Sequence, residues 1–338
     1  MILENNIVKL VDYILLNAYS VNSTGLYKGK AGLSLCLFEV ARFQEDEYIE
    51  GHAFDLLQEA LLTKNGDIGF ENGLSGIGYV LLYLIENKFV EADFHELFGN
   101  NLKKIEETLS EETKKPTANN YIRHHFKMVF FLDAFLSSDN TDNSIQPLID
   151  FFSDAAGRLL EEYVSRGNEG KSNFLKTDFS VFLNTYIKIA VTCKHFYPSL
   201  KGLNGYAEQY LQNKWASNFT TGYYLEDIAT KNNSLHLKEV AQMNQALALK
   251  NIYPDTLSLS QRIDLLYLLR KNKDKQAQQI MLLEEGFGDD TRENIIENNI
   301  LQSIHPTDFI AGYESGIARL LLYWVYRNSP ESNHFKFL

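Results

Sequence analysis

Apolar residues recur along most of this chain at intervals of three and four, the period of a helix with one buried face, and strand-like alternation is scarce. The N-terminal stretch "MILENNIVKLVDYILLNAYS" sets Glu4, Lys9 and Asp12 among its apolar residues and reads as an amphipathic helix. "EADFHELFGNNLKKIEETLSEE" places Phe94, Leu97, Phe98, Leu102, Ile105 and Leu109 on one stripe with Glu and Lys opposite, which predicts a half-exposed helix. Other runs, such as "YVLLYLI" and "RLLLYWVY", are apolar nearly all round, as a helix enclosed by others must be.

The enclosed helices follow a recurring glycine pattern. "GLYKGKAGLSLCLFEVAR" from Gly25, "GFENGLSGIGYVLLYLIE" from Gly69 and "GYESGIARLLLYWVYR" from Gly312 share an order. A glycine comes first, then an apolar or aromatic residue, two variable residues, a second glycine, one variable residue, a small residue, and glycine or arginine. The repeated positions are Gly25, Gly29 and Gly32, then Gly69, Gly73 and Gly76, then Gly312 and Gly316 with Arg319 in the third place. If the helix has begun, these glycines share one face. Glycine admits positive φ in a sharp turn and lets a neighbouring backbone come close, and an uncovered first helical turn presents free N–H groups. Weaker copies start at Asn120, Asn173, Gly222 and Leu257, so the pattern predicts about seven helical hairpins.

Composition narrows the classes. The 338 residues are 45% hydrophobic and include six prolines, with no low-complexity linker, so the chain reads as a single domain over residues 1–338. The formal net charge is −12 and the Lys and Arg residues are scattered, which argues against nucleic acid as a partner. No uncharged apolar window is long enough for a membrane span, and no signal-peptide pattern precedes the first helix, so the expectation is a cytoplasmic protein. Cys36 and Cys193, each inside an apolar run, read as buried free thiols. The whole pattern predicts an all-α fold, an α/α toroid with one inner and one outer helix per hairpin.

The three glycine motifs resemble those of the lanthionine synthetase C-like family, cyclases that close thioether rings in peptides. The resemblance covers about the first hundred residues and returns at Phe309–Tyr326. It implies a seven-hairpin toroid whose active site lies where the inner helices begin. It also implies a zinc held by two cysteines and a histidine, which would lower the pKa of a substrate thiol. The ligand motifs are not matched: Lys214-Trp215-Ala216 stands where the Trp-Cys element would be, and no Cys-His pair occurs. The family's proposed acid/base histidine falls nearest His124 or His125, without the flanking glycines. The expectation is therefore a zinc-free, cofactor-free relative that binds a precursor peptide or a peptide-modifying enzyme without cyclising.

A different chemistry fits the same scaffold. Glu71 and Glu314 occupy the same repeat position, with Asp67 and Asp308 just ahead of the motifs. Facing one mouth at about 5–10 Å, two carboxylates serve as the acid and the base or nucleophile of a glycoside hydrolase. The bland alternative is that each stabilises a helix N-terminus. Arg319 and Arg123 are candidate anion contacts, although Arg319 can equally pair with Glu314 or cap a neighbouring helix. A third reading is an adaptor presenting an outer helical face.

Overall fold

The computed structural model describes residues 2–64, 66–115, 118–138, 144–167, 173–213, 219–250, 257–271, 280, 283–284 and 311–329. Trp215 with its neighbours Lys214 and Ala216, and Asp308, lie outside them. The described residues form fourteen helices and no strand, as the periodicity predicts for an all-α chain. The chain divides into two compact units, Met1–Asn101 with Tyr253–Leu338, and Leu102–Ile252.

The first unit holds α1 (Ile2–Ala18), α2 (Lys30–Gln44), α3 (Glu47–Leu61), α4 (Leu74–Glu86) and the start of α5 (Phe94–Glu112). Near the other end of the chain it holds α13 (Leu259–Lys271) and α14 (Ile317–Asn328). Helix α2 packs against α1, α3, α4 and α14, and α13 packs against α14. Ala31–Ala41 of α2 and Ile317–Val325 of α14 are buried without interruption, as their all-round apolar sequences require. Helix α1 buries Ile7, Leu10, Val11, Ile14 and Ala18 and exposes Lys9 and Leu16, the expected amphipathic division. Asp46 caps α3 by accepting hydrogen bonds from the N–H groups of Tyr48 and Ile49.

The second unit contains the remainder of α5 and then α6 (Ala118–His125), α7 (Met128–Ser138), α8 (Ile145–Gly167) and α9 (Asn173–Thr192). It continues with α10 (Leu200–Asn213), α11 (Phe219–Lys231) and α12 (Leu235–Lys250). Helix α8 gathers α6, α7, α9 and α10 around it, and α11 pairs with α12. Two details depart from the sequence pattern. Leu97, assigned to the buried stripe of α5, is 46% exposed, while Phe94, Phe98, Leu102, Ile105 and Leu109 are buried. The run from Asn120 is two helices, broken by a turn at Phe126–Lys127. The buried Phe126 ring meets Phe182, Tyr186 and Phe196 at this break, and that aromatic cluster fixes the turn where periodicity alone would continue one helix.

Candidate functional site

The three glycine motifs fold alike. In each, the second glycine is the N-cap, with extended backbone at φ −135°, −117° and −107° for Gly29, Gly73 and Gly316. Positive φ is therefore not the reason for these glycines, contrary to the turn geometry expected from sequence. The helix begins only after the second glycine, so the first lies in the lead-in loop rather than on a helical face.

The first turn is not open either. Ala31, Ser75 and Ala318, at the same repeat position, donate their N–H groups to the carbonyls of Thr24, Ile68 and Ala311, seven residues back, at 3.2, 3.3 and 3.3 Å. Lys30 and Leu74 do the same to Ser23 and Asp67 at 3.1 and 2.9 Å. The loop folds under its own helix, and main-chain carbonyls cap the N–H groups that a side chain or an anion would otherwise meet.

That fold-back demands glycine through proximity. A Cβ on Gly32 would stand 1.9 Å from the Leu26 carbonyl oxygen, and one on Gly76 would stand 2.0 Å from that of Phe70. On its other side, each of these glycines receives a neighbouring repeat. The same Cβ positions would lie 2.8 Å from Tyr313 Cβ at Gly32 and 2.9 Å from Leu26 Cβ at Gly76. Leu26 and Tyr313 occupy the same place in their motifs, so the last motif docks on the first by the step that docks the first on the second.

Main-chain bonds join the loops in the same order. Tyr27 N–H donates to the Glu71 carbonyl at 2.7 Å, and the Tyr27 carbonyl accepts from Tyr313 N–H at 3.1 Å and Glu314 N–H at 3.5 Å. Glu71, which is exposed, and Glu314, which is half-buried, thus flank a single residue. Aromatic rings gather here: Tyr27 stacks on Tyr313 at 6.3 Å and meets Phe70 edge-on at 6.3 Å, and Phe70 meets Tyr79 at 5.5 Å. Asp67 turns back on its own loop, accepting from Gly69 N–H at 2.8 Å.

Arg319 fills the place that glycine holds in the other two motifs. It is 2% exposed and ion-paired with Asp264 of α13. Burial works against its charge, and Asp264 together with the Tyr313 and Tyr27 phenols more than restores it, holding its pKa above the usual arginine value.

Behind the rings lies a buried acid that reasoning from the sequence missed. Glu39 of α2 is 2% exposed and accepts a hydrogen bond from Tyr83 OH of α4. Burial first, and the Glu39 charge second, push both the Tyr83 phenol and the nearby Cys36 thiol well above their ordinary values. The signal was present in "GLSLCLFEVAR", where one acid interrupts an apolar helix. Because both folded-state pKa values are raised, the stabilisation they carry is whole at neutral pH and is lost as pH climbs past about 9 to 10, where the unfolded chain ionises first. Thermal melts from pH 7 to 10.5 will show a falling Tm, and Tyr83→Phe will flatten the phenol's share of the decline.

The other candidates belong to the second unit. His124 and His125 end α6 rather than begin it; His124 is exposed, and the His125 ring stacks on Tyr121 at 4.2 Å. Arg123 lies over the Tyr163 ring at 5.3 Å, a cation–π contact. Asp133, a lone acid in the apolar α7, is buried and accepts from His195 N–H at 2.7 Å and pairs with His195 Nδ1 at 3.0 Å. As with Glu39, the interrupting acid was legible and its partner was not.

The donor set does not suit the zinc site that the resemblance implies. Cys36 is buried inside α2 with its thiol on the Ala318 carbonyl at 3.4 Å and its pKa raised, which opposes the thiolate form a zinc ligand needs. Cys193 is buried in the second unit. Among the described residues no group of three or more His, Cys, Asp or Glu side chains is arranged to hold a metal. None of their helices is long and apolar enough to cross a membrane. In sequence, the chain matches no protein-family profile and no curated protein.

Proposed function

We propose that this chain is a zinc-free, lanthionine synthetase C-like α/α toroid that binds a precursor peptide, or the enzyme modifying it, in the cytoplasm without closing rings itself. The observation that carries the reading is the repeated docking step. Tyr313 lies against Gly32 as Leu26 lies against Gly76, the relation a closed ring of hairpins needs between its last and first members. The rings of Tyr27, Phe70 and Tyr313 are buried and pack the loops together, so the groups offered to a peptide are the exposed Glu71 and the half-buried Glu314, which suit basic side chains.

Elemental analysis of the untagged protein, alongside calorimetric titration with a synthetic peptide carrying cysteine, serine, threonine and lysine, tests it. The expected result is no stoichiometric zinc and a binding isotherm that weakens at least tenfold in Glu71→Lys/Glu314→Lys. One tightly held zinc per chain, lost on Cys36→Ser or Cys193→Ser, would overturn the zinc-free assignment, and absence of binding would overturn the peptide assignment.

The placement of Glu71 and Glu314 on either side of Tyr27 also favours a second reading, glycoside hydrolysis by paired carboxylates. Under it, Glu71→Gln and Glu314→Gln each lower aryl-glycoside hydrolysis by at least about 10²-fold. Turnover that survives both substitutions removes that reading.

A further inference from the structure

The first unit carries an outward face that the site above does not use. On α3, Tyr48, His52, Asp55, Glu59 and Leu62 recur at intervals of four and three, so they form one stripe along the helix and its C-cap. Its two ends are exposed apolar groups, Tyr48 at 70% and Leu62 at 79%. Between them, His52 is packed edge-on by Tyr48 at 4.6 Å and by Tyr19 at 5.8 Å, and Tyr19 OH bonds His52 Nδ1 at 2.6 Å. The Asp46 cap holds the Tyr48 backbone in the first turn of α3, so this aromatic group is fixed in place.

Acids outnumber bases on and around this helix. Helix α3 contains Glu47, Glu50, Asp55 and Glu59 and no lysine or arginine. Lys30 reaches across to Glu59, leaving the other acids in excess. Burial, followed by the charges of Asp55 and Glu59, raises the pKa of Tyr19. A separate cavity of about 310 Å³ lies near the start of α3, lined by Phe38, Phe89, Glu45, Asp46, Glu47 and Glu50. Arg42 and Lys88 also line it, and the Arg42 guanidinium already covers the Phe89 ring at 3.3 Å.

We propose that the α3 stripe, extended by Tyr19, is a docking surface for a basic, lysine- or arginine-bearing segment of a protein partner. Exposed tyrosines beside carboxylates supply apolar area and cation–π faces together, the combination that anchors basic side chains at interfaces. A second copy of this chain is disfavoured as the occupant, because a two-fold contact would set the acidic face against itself. The surface does not include Glu71 or Glu314, so each proposal can fail without the other.

The test titrates the full chain with an amphipathic peptide of leucine and arginine and with its twin carrying glutamate in place of arginine. The expected result is binding of the arginine peptide alone, weakened at least tenfold in Tyr48→Ala/Asp55→Lys. Glu107→Lys adds the same charge on α5, far along the sequence at an exposed i,i+4 pair, and leaves that binding unchanged. Circular dichroism confirms that both variants fold. Equal weakening by Glu107→Lys would reduce the effect to the net charge of −12 and overturn the proposal. No binding of the arginine peptide, or dimerisation abolished by Tyr48→Ala, would overturn it as well.

Discussion

Alanine at Gly32 or at Gly76 will destabilise the first unit by at least about 3 kcal/mol, while alanine at Gly51 will stabilise it by about 0.5–1 kcal/mol. The chemical change is the same in all three. At Gly32 and Gly76 the new methyl would fall 1.9 and 2.0 Å from a main-chain carbonyl oxygen, which cannot rotate aside as a side chain can. Relief requires moving the fold-back loop, and with it the bonds that cap the helix and the neighbouring residue, Tyr313 or Leu26, that packs there. At Gly51, in the interior of α3, nothing lies within 4 Å of the new Cβ, so the substitution only removes backbone freedom from the unfolded chain. Urea melts followed by circular dichroism read both signs. A stable Gly32→Ala protein would mean that the lead-in loop is not held under its helix.

Asp264→Leu will cost about 3–5 kcal/mol, Arg319→Met will cost less, and the two together will be close to neutral. The asymmetry follows from burial. Arg319 is 2% exposed on its side chain against 31% for Asp264, so deleting the carboxylate leaves a guanidinium in the interior without that partner. Deleting the arginine leaves an acid that still reaches water. Replacing both with apolar side chains removes the desolvation cost along with the attraction. A thermodynamic cycle over the four proteins measures the coupling, and additive effects would show that the pair carries none.

The resemblance to a cyclase family and the chemistry of this chain separate at particular residues. The glycine motifs that carry the likeness are scaffold positions, since they close helix starts against one another by main-chain contact. The chemistry of such a family resides in its metal ligands, and here the thiol of Cys36 is engaged inside a helix bundle. Glu71, Glu314 and Tyr27 are the residues that the main-chain bonds between the motif loops bring together.

Taken alone, the sequence determined that the chain is helical and that the helices after the three glycine motifs are enclosed. Helical period and an all-round apolar surface are local properties, so α2, α4 and α14 were legible from the runs that follow the glycines. The need for glycine at the repeated positions was legible too, but its cause was not. Only the tertiary structure decided that the reason is contact between backbones rather than positive φ, because the clashing atoms lie in loops folded back under their own helices and in the motif at the other end of the chain. The same holds for Glu39 with Tyr83, Arg319 with Asp264 and Asp133 with His195. A lone charge in an apolar helix announces that a partner must exist, since an unpaired buried charge is too costly to keep. Which residue meets it depends on how distant helices pack, and no local pattern carries that information.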